Sequence, residues 1–155
     1  MWQKIRPFVV SIALALGVGL LSAFFSRNTM VVYQSLVKPE LAPPPIVFPI
    51  VWTILYILMG ISAALVYQSE AQERDRALVL YGAQLIVNFF WSILFFGAQA
   101  RLLAFFWLLL LVWLVVSMVV EFWRSNRVAG ILQIPYLVWL FFAGYLNLSI
   151  YLLNR

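Results

Sequence analysis

The sequence predicts an all-α membrane protein, a five-transmembrane-helix bundle, and three observations carry the prediction. Of its 155 residues 66% are apolar, and the mean hydropathy is +1.03. A soluble domain of this length needs far more polar surface to cover itself. Charged residues make up 10%, against roughly 25% in an ordinary soluble protein. The apolar residues also fall into five runs of about 18 to 25 residues, each long enough to cross ~30 Å of hydrocarbon as a helix. A lipid-facing barrel would show alternating segments of about ten residues instead. The spans leave no room for a second domain, so 1–155 reads as one membrane domain.

The first helix is expected over Phe8 to Phe25. Lys4 and Arg6 before it, and Leu21-Ser22-Ala23 within it, also fit a signal peptide with a marginal cleavage site. Ser11, Ala15, Gly19 and Ala23 recur every four residues, however. Such a stripe of small side chains suits close packing between membrane helices, so the helix is read as retained. Residues 26–45 follow as a connection carrying Pro39, Pro43, Pro44 and Pro45. Proline fixes φ and lacks an N–H, so this stretch is no regular long helix. Connections of this length often serve as lids over binding sites; a plain linker with a proline stop is the alternative.

The second helix is expected over Ile46 to Tyr67, the third over Leu78 to Gly97, the fourth over Leu102 to Val120 and the fifth over Ala129 to Leu153. No Asp, Glu, Lys or Arg interrupts any of these spans. Glu70, Glu73, Arg74, Asp75 and Arg76 form a solvated hinge between the second and third. With five spans, Lys4, Arg6, Arg74, Arg76, Arg124 and Arg127 share one side, against Arg27, Lys38, Arg101 and Arg155 on the other. The positive-inside rule then places the amino end inside and the proline connection outside. No inverted repeat relates the halves, which counts against a repeat-built transporter.

Composition excludes much chemistry. Cysteine and histidine are both absent, which removes disulfides, thiolate nucleophiles, the commonest zinc and haem ligand and the usual general base at neutral pH. No metal site is expected. The net charge is +5, but the basic residues stand singly at membrane flanks rather than on one face, so no nucleic-acid partner is expected. Ion-coupled pumping needs a carboxylate buried in the spans, and none is expected there.

Polar and aromatic residues inside the spans are the informative ones, because each must find a partner or a wet cavity. Phe48, Trp52 and Tyr56 line up at intervals of four on the second helix. Gln84, Asn88 and Trp91 or Ser92 share a face of the third, and Tyr136, Trp139, Ala143 and Asn147 a face of the fifth. If these faces converge they enclose an aromatic pocket with a few amide and hydroxyl groups. That suits a large, flat, mostly apolar ligand with polar edges. The alternative is that the amides are interhelical hydrogen bonds, Asn147 and Gln84 above all, and the rings are core.

The stretch Lys38-Pro39-Glu40-Leu41-Ala42-Pro43-Pro44, followed by Phe48, Pro49, Trp52, Leu55 and Tyr56, resembles the signature of the tryptophan-rich sensory protein family, also called the TspO/MBR or translocator protein family. The resemblance continues through Gln84, Asn88, Trp91 and Phe95-Phe96-Gly97. It ends with Pro135-Tyr136-Leu137, Trp139, Ala143 and Leu146-Asn147. It implies a five-helix bundle, commonly a homodimer, for which the small-residue stripe and the very apolar fourth helix are candidate faces. It also implies an intrabundle site beneath the first connection for porphyrins (protoporphyrin IX or haem) or other lipophilic molecules, with no further cofactor required. Carried over by motif, Tyr33 sits in the lid, Trp52 on the second helix, Asn88 on the third, and Trp139 and Ala143 on the fifth. With the faces above, the expected ligand-binding set is Tyr33, Phe48, Trp52, Tyr56, Asn88, Trp91, Trp139 and Ala143. The implied function is a membrane receptor or regulator that binds tetrapyrroles in a stress or light response. Transport of porphyrins is one alternative and light-dependent porphyrin breakdown through Trp52 and Trp139 another. Leu41 and Val32 stand where the family usually has Trp, so this lid is less aromatic. Leu148, Tyr151 and Arg155 fit the loose cholesterol pattern only out of place, so no sterol binding is expected.

Overall fold

The computed structural model describes residues 1–27 and 29–155; Asn28, within the expected 26–45 connection, lies outside the described residues. Seven α-helices are present among them: α1 (Trp2–Phe25), α2 (Thr29–Ser35), α3 (Val47–Tyr67), α4 (Arg74–Ser92), α5 (Arg101–Ser125), α6 (Arg127–Leu132) and α7 (Ile134–Leu153). A π-helical turn, Ile93–Gly97, prolongs α4. Counting α4 with its π turn and α6 with α7, five helices are long and apolar enough to cross a membrane.

Most helices outrun the apolar stretches that announced them, because their charged ends reach the headgroup level and continue to coil. α1 begins at Trp2 rather than Phe8 and carries Pro7 inside it. Gln68 at the end of α3 donates to the Lys4 carbonyl at 2.8 Å, pinning the start of α1. α3 accommodates Pro49 in its first turn, where backbone N–H groups have no partner within the helix. α5 continues past Val120 to Ser125. Glu121 is buried on it, 3.4 Å from Arg124 and 4.0 Å from Arg76. The two cations offset the charge at the point where the helix leaves the apolar layer.

The fifth span is broken. Asn126 caps α6 by accepting from the Ala129 N–H at 3.1 Å, and Pro135 supplies no N–H to continue the ladder, so the chain restarts as α7. The expected 26–45 connection contains the short helix α2, formed before the first proline at Pro39.

The helices close into a ring. α1 packs on α3 and α4, α4 on α5, and α5 on α6 and α7, while α6 returns to α3. α1 and α3 approach closely within this ring. An added methyl at Gly60 would collide with the Ile12 backbone, and one at Gly19 would lie 2.6 Å from the Tyr56 ring. α3 and α7, by contrast, make little close backbone contact. Large rings bridge them: Phe48 to Trp139 at 5.9 Å, Trp52 to Tyr136 at 6.1 Å and Trp52 to Trp139 at 6.5 Å between centroids.

Candidate functional site: a lidded aromatic cavity

Where α1, α3 and α4 diverge toward the lid, they enclose a cavity of about 380 Å³. α3 supplies Phe48, Trp52 and Tyr56 at four-residue spacing, so the three rings form one wall. α4 supplies Asn88, Trp91 and Ser92, and the π turn adds Phe96. The π turn lets neighbours Phe95 and Phe96 both point inward and be buried, which regular α spacing does not favour. Trp91 stacks on Phe95 at 5.5 Å, so the aromatic lining continues into a second layer. Leu16, Gly19, Leu20, Ser22 and Ala23 of α1 form the remaining wall.

The floor is a chain of hydrogen bonds. The Tyr56 hydroxyl donates to Asn88 Oδ1 at 2.9 Å, Asn88 Nδ2 donates to the Tyr136 hydroxyl at 2.7 Å, and that hydroxyl donates to Gln84 Oε1 at 2.7 Å. Gln84 Nε2 ends the chain at Met59 Sδ, 3.8 Å away. α4 and α7 both run toward the lid, which is why faces read separately from the sequence meet in register. A primary amide offers two donors and two acceptor lone pairs. Asn88 uses one of each here and keeps the others beside the cavity. Higher up, the hydroxyls of Ser22 and Ser92 share a hydrogen bond that ties α1 to α4.

The lid is latched at three points. The Tyr33 hydroxyl donates to the Pro43 carbonyl at 2.7 Å, and its ring lies edge-on to Phe48 at 5.0 Å. Burial pushes the Tyr33 phenol pKa above its ordinary 10.0. Lys38 Nζ donates to the carbonyls of Tyr33 and Leu36 at 2.9 and 3.0 Å and sits over the Tyr33 ring. Asn154, just past α7, accepts from the Val37 N–H at 2.9 Å and donates to its carbonyl at 2.8 Å.

The structure brings Tyr33, Phe48, Trp52, Tyr56, Asn88 and Trp91 to this one cavity. Trp139 and Ala143 are not on its lining. Trp139 stands behind Phe48 and Trp52, with its indole N–H buried and unpartnered among the described residues. Ala143 is buried in the helix contacts of α7. Asn147 holds the far side together, accepting from Trp91 Nε1 at 3.1 Å and donating to the Arg101 carbonyl at 2.8 Å. Sequence reasoning missed the wall from α1 and the Asn154 latch. The stripe at Gly19 and Ala23 was the available signal for the first.

By fold and geometry the chain is a five-span α-helical membrane bundle with an aromatic cavity beneath a proline-rich lid. The sequence profile of the TspO/MBR family matches residues 10–153. Over 155 residues the chain is 38% identical to tryptophan-rich protein TspO of Chlorobaculum tepidum, with 98% of each chain covered. It is 38% identical over 156 residues to protein CrtK of Rhodobacter capsulatus, covering 98% of this chain and 95% of that one. It is 33% identical over 153 residues to the human translocator protein, covering 97% and 89%. The chain belongs to the TspO/MBR family and is an integral membrane protein.

Proposed function

We propose that this protein is a membrane receptor that binds a porphyrin, of the protoporphyrin IX type, in the cavity under the lid. The observation that carries the reading is the cavity itself, with rings from α3, α4 and the lid around it and an amide with free capacity at its floor. Its volume falls within the ~300–1,000 Å³ of small-molecule sites. A flat π-system gains from stacked and edge-on contacts with such walls. Exposed Leu20 and Ala23 of α1 and Pro49 and Thr53 of α3 form a lateral mouth, so a disc wider than the chamber can project toward lipid.

Binding is favoured over passage. Below Tyr56 and Asn88 the interior is filled by Met59, Gln84, Tyr136 and Phe122, each at most 1% exposed. A porphyrin has no continuous path past them. Light-dependent breakdown has one observation in its favour. Trp52 on the wall and Trp139 behind it are perpendicular at 6.5 Å, which sets two oxidisable indoles beside a light-absorbing ligand, with dioxygen as the oxidant that the breakdown would consume. Saturable quenching of Trp fluorescence by protoporphyrin IX in detergent, weakened in Trp52→Ala, is the expected result. Quenching that never saturates would sink the receptor reading.

A further inference from the structure

Arg27 stands where two cavities meet. Beside the aromatic chamber lies a second space of about 410 Å³ between the end of α1, the lid and the π turn, lined among others by Phe24, Arg27, Val32, Gly97 and Gln99. Ser26, Arg27 and Phe96 line both spaces. The two differ in character: rings dominate the chamber, whereas Arg27 and Gln99 give the antechamber polar donors. Arg101 stands behind it, donating from Nη2 to Gln99 Oε1 at 3.4 Å.

Of the lid-end cations, Lys38 is engaged by two backbone carbonyls. Arg27 has its guanidinium carbon 5.3 Å from the centre of the Phe24 ring and forms no ion pair among the described residues. The lid end carries Arg27, Lys38, Arg101 and Arg155 against Glu40, so the local field favours an anion. The ring beneath Arg27 orients the guanidinium without using its N–H groups, and no hydrogen bond or ion pair among the described residues takes up the fork, so it can receive a carboxylate.

Resting on the porphyrin reading, we propose that Arg27 selects the acidic edge of the ligand. The flat apolar body occupies the aromatic chamber, and a carboxylate side chain extends into the antechamber to pair with Arg27. A carboxylate cannot enter the chamber uncompensated, because leaving water without a charged partner costs too much. At Arg27 it gains charge-assisted hydrogen bonds in a half-wet site. The ligand class is thereby narrowed to flat macrocycles bearing at least one carboxylate on one edge; neutral discs lose this contact.

The test compares protoporphyrin IX with its dimethyl ester, titrated by Trp quenching onto wild type, Arg27→Gln and Arg27→Lys in detergent. The expected result is that Arg27→Gln weakens the diacid roughly tenfold or more, leaves the ester unchanged, and that Arg27→Lys recovers part of the loss. Unchanged ester binding also shows that the variant's chamber is folded. An equal shift in both ligands, or no shift in either, overturns the role of Arg27 while leaving the receptor reading intact. Failure of both ligands to saturate wild type overturns the receptor reading and this one with it.

Discussion

The two ends of the bundle solve the same packing problem in opposite ways. Away from the lid, small residues let backbones touch: Gly60 abuts the Ile12 backbone, and a methyl on Gly130 would lie 2.8 Å from Trp123 Cα. That end is filled by Met59, Met118 and Phe122, all fully buried. At the lid end the helices stand apart, and rings from α3 and α7 span the gap without closing it. The contrast shows where a cavity can be kept in lipid. Close glycine contacts at one end hold the helices together, so the other can stay open without the bundle loosening.

The largest effect should come from breaking the closed end. Gly60→Val drives a branched side chain into the α1 backbone, for which no rotamer escapes, and should cost about 3 kcal/mol. Thermal unfolding in detergent measures it, and a midpoint within a degree of wild type would mean α1 and α3 are not held there. At the boundary between the ends, Asn88→Leu removes the bonds to both Tyr56 and Tyr136 and leaves the Tyr56 hydroxyl buried without its acceptor. The expected loss is about 1–3 kcal/mol, together with weaker porphyrin quenching; a variant as stable as wild type would show that the floor is not structural.

At the open end, Trp52→Ala should leave the melting point closer to wild type than Gly60→Val does, yet weaken protoporphyrin IX binding roughly tenfold, a contact worth ~1.4 kcal/mol. Trp139→Ala should weaken it less, since Trp139 stands behind the wall. Equal losses from the two substitutions would place Trp139 in contact with the ligand after all. The smallest effect concerns the lid phenol. Burial raises the Tyr33 pKa above 10.0, so the folded state holds this proton more tightly than the unfolded chain. Its contribution is then complete below pH ~10 and is lost only as pH rises toward the folded-state value. Wild type and Tyr33→Phe should therefore show the same slope of melting point with pH from 7 to 9.

The five spans were legible because an uninterrupted apolar run of about twenty residues fits a membrane crossing and little else. The α3 and α4 faces of the site were legible because polar and aromatic residues at helical spacing must point somewhere useful. The same logic grouped Trp139 and Ala143 with these faces, whereas the structure lines the cavity without them. Spacing assigns residues to a face of a helix but not the distance at which that face stands from a cavity, and on α7 the rings of α3 come between. The α1 wall was hidden for a different reason. Leu16, Gly19 and Ala23 look the same in sequence whether they meet lipid, a neighbouring helix or an empty chamber. Glu121 fell outside the expected span because hydropathy ends a span where the charge begins, whereas the helix continues while Arg76 and Arg124 stand beside it.

The Asn154 latch has a practical consequence. Its side-chain amide pairs with Val37 through a donor and an acceptor, which ties the end of α7 to the lid. A spin label or fluorophore attached at position 155 would thus sit beside the roof without altering a residue of the chamber. The tail becomes a built-in reporter: its mobility in membranes can be followed while ligand is added, and Asn154→Ala provides the uncoupled control.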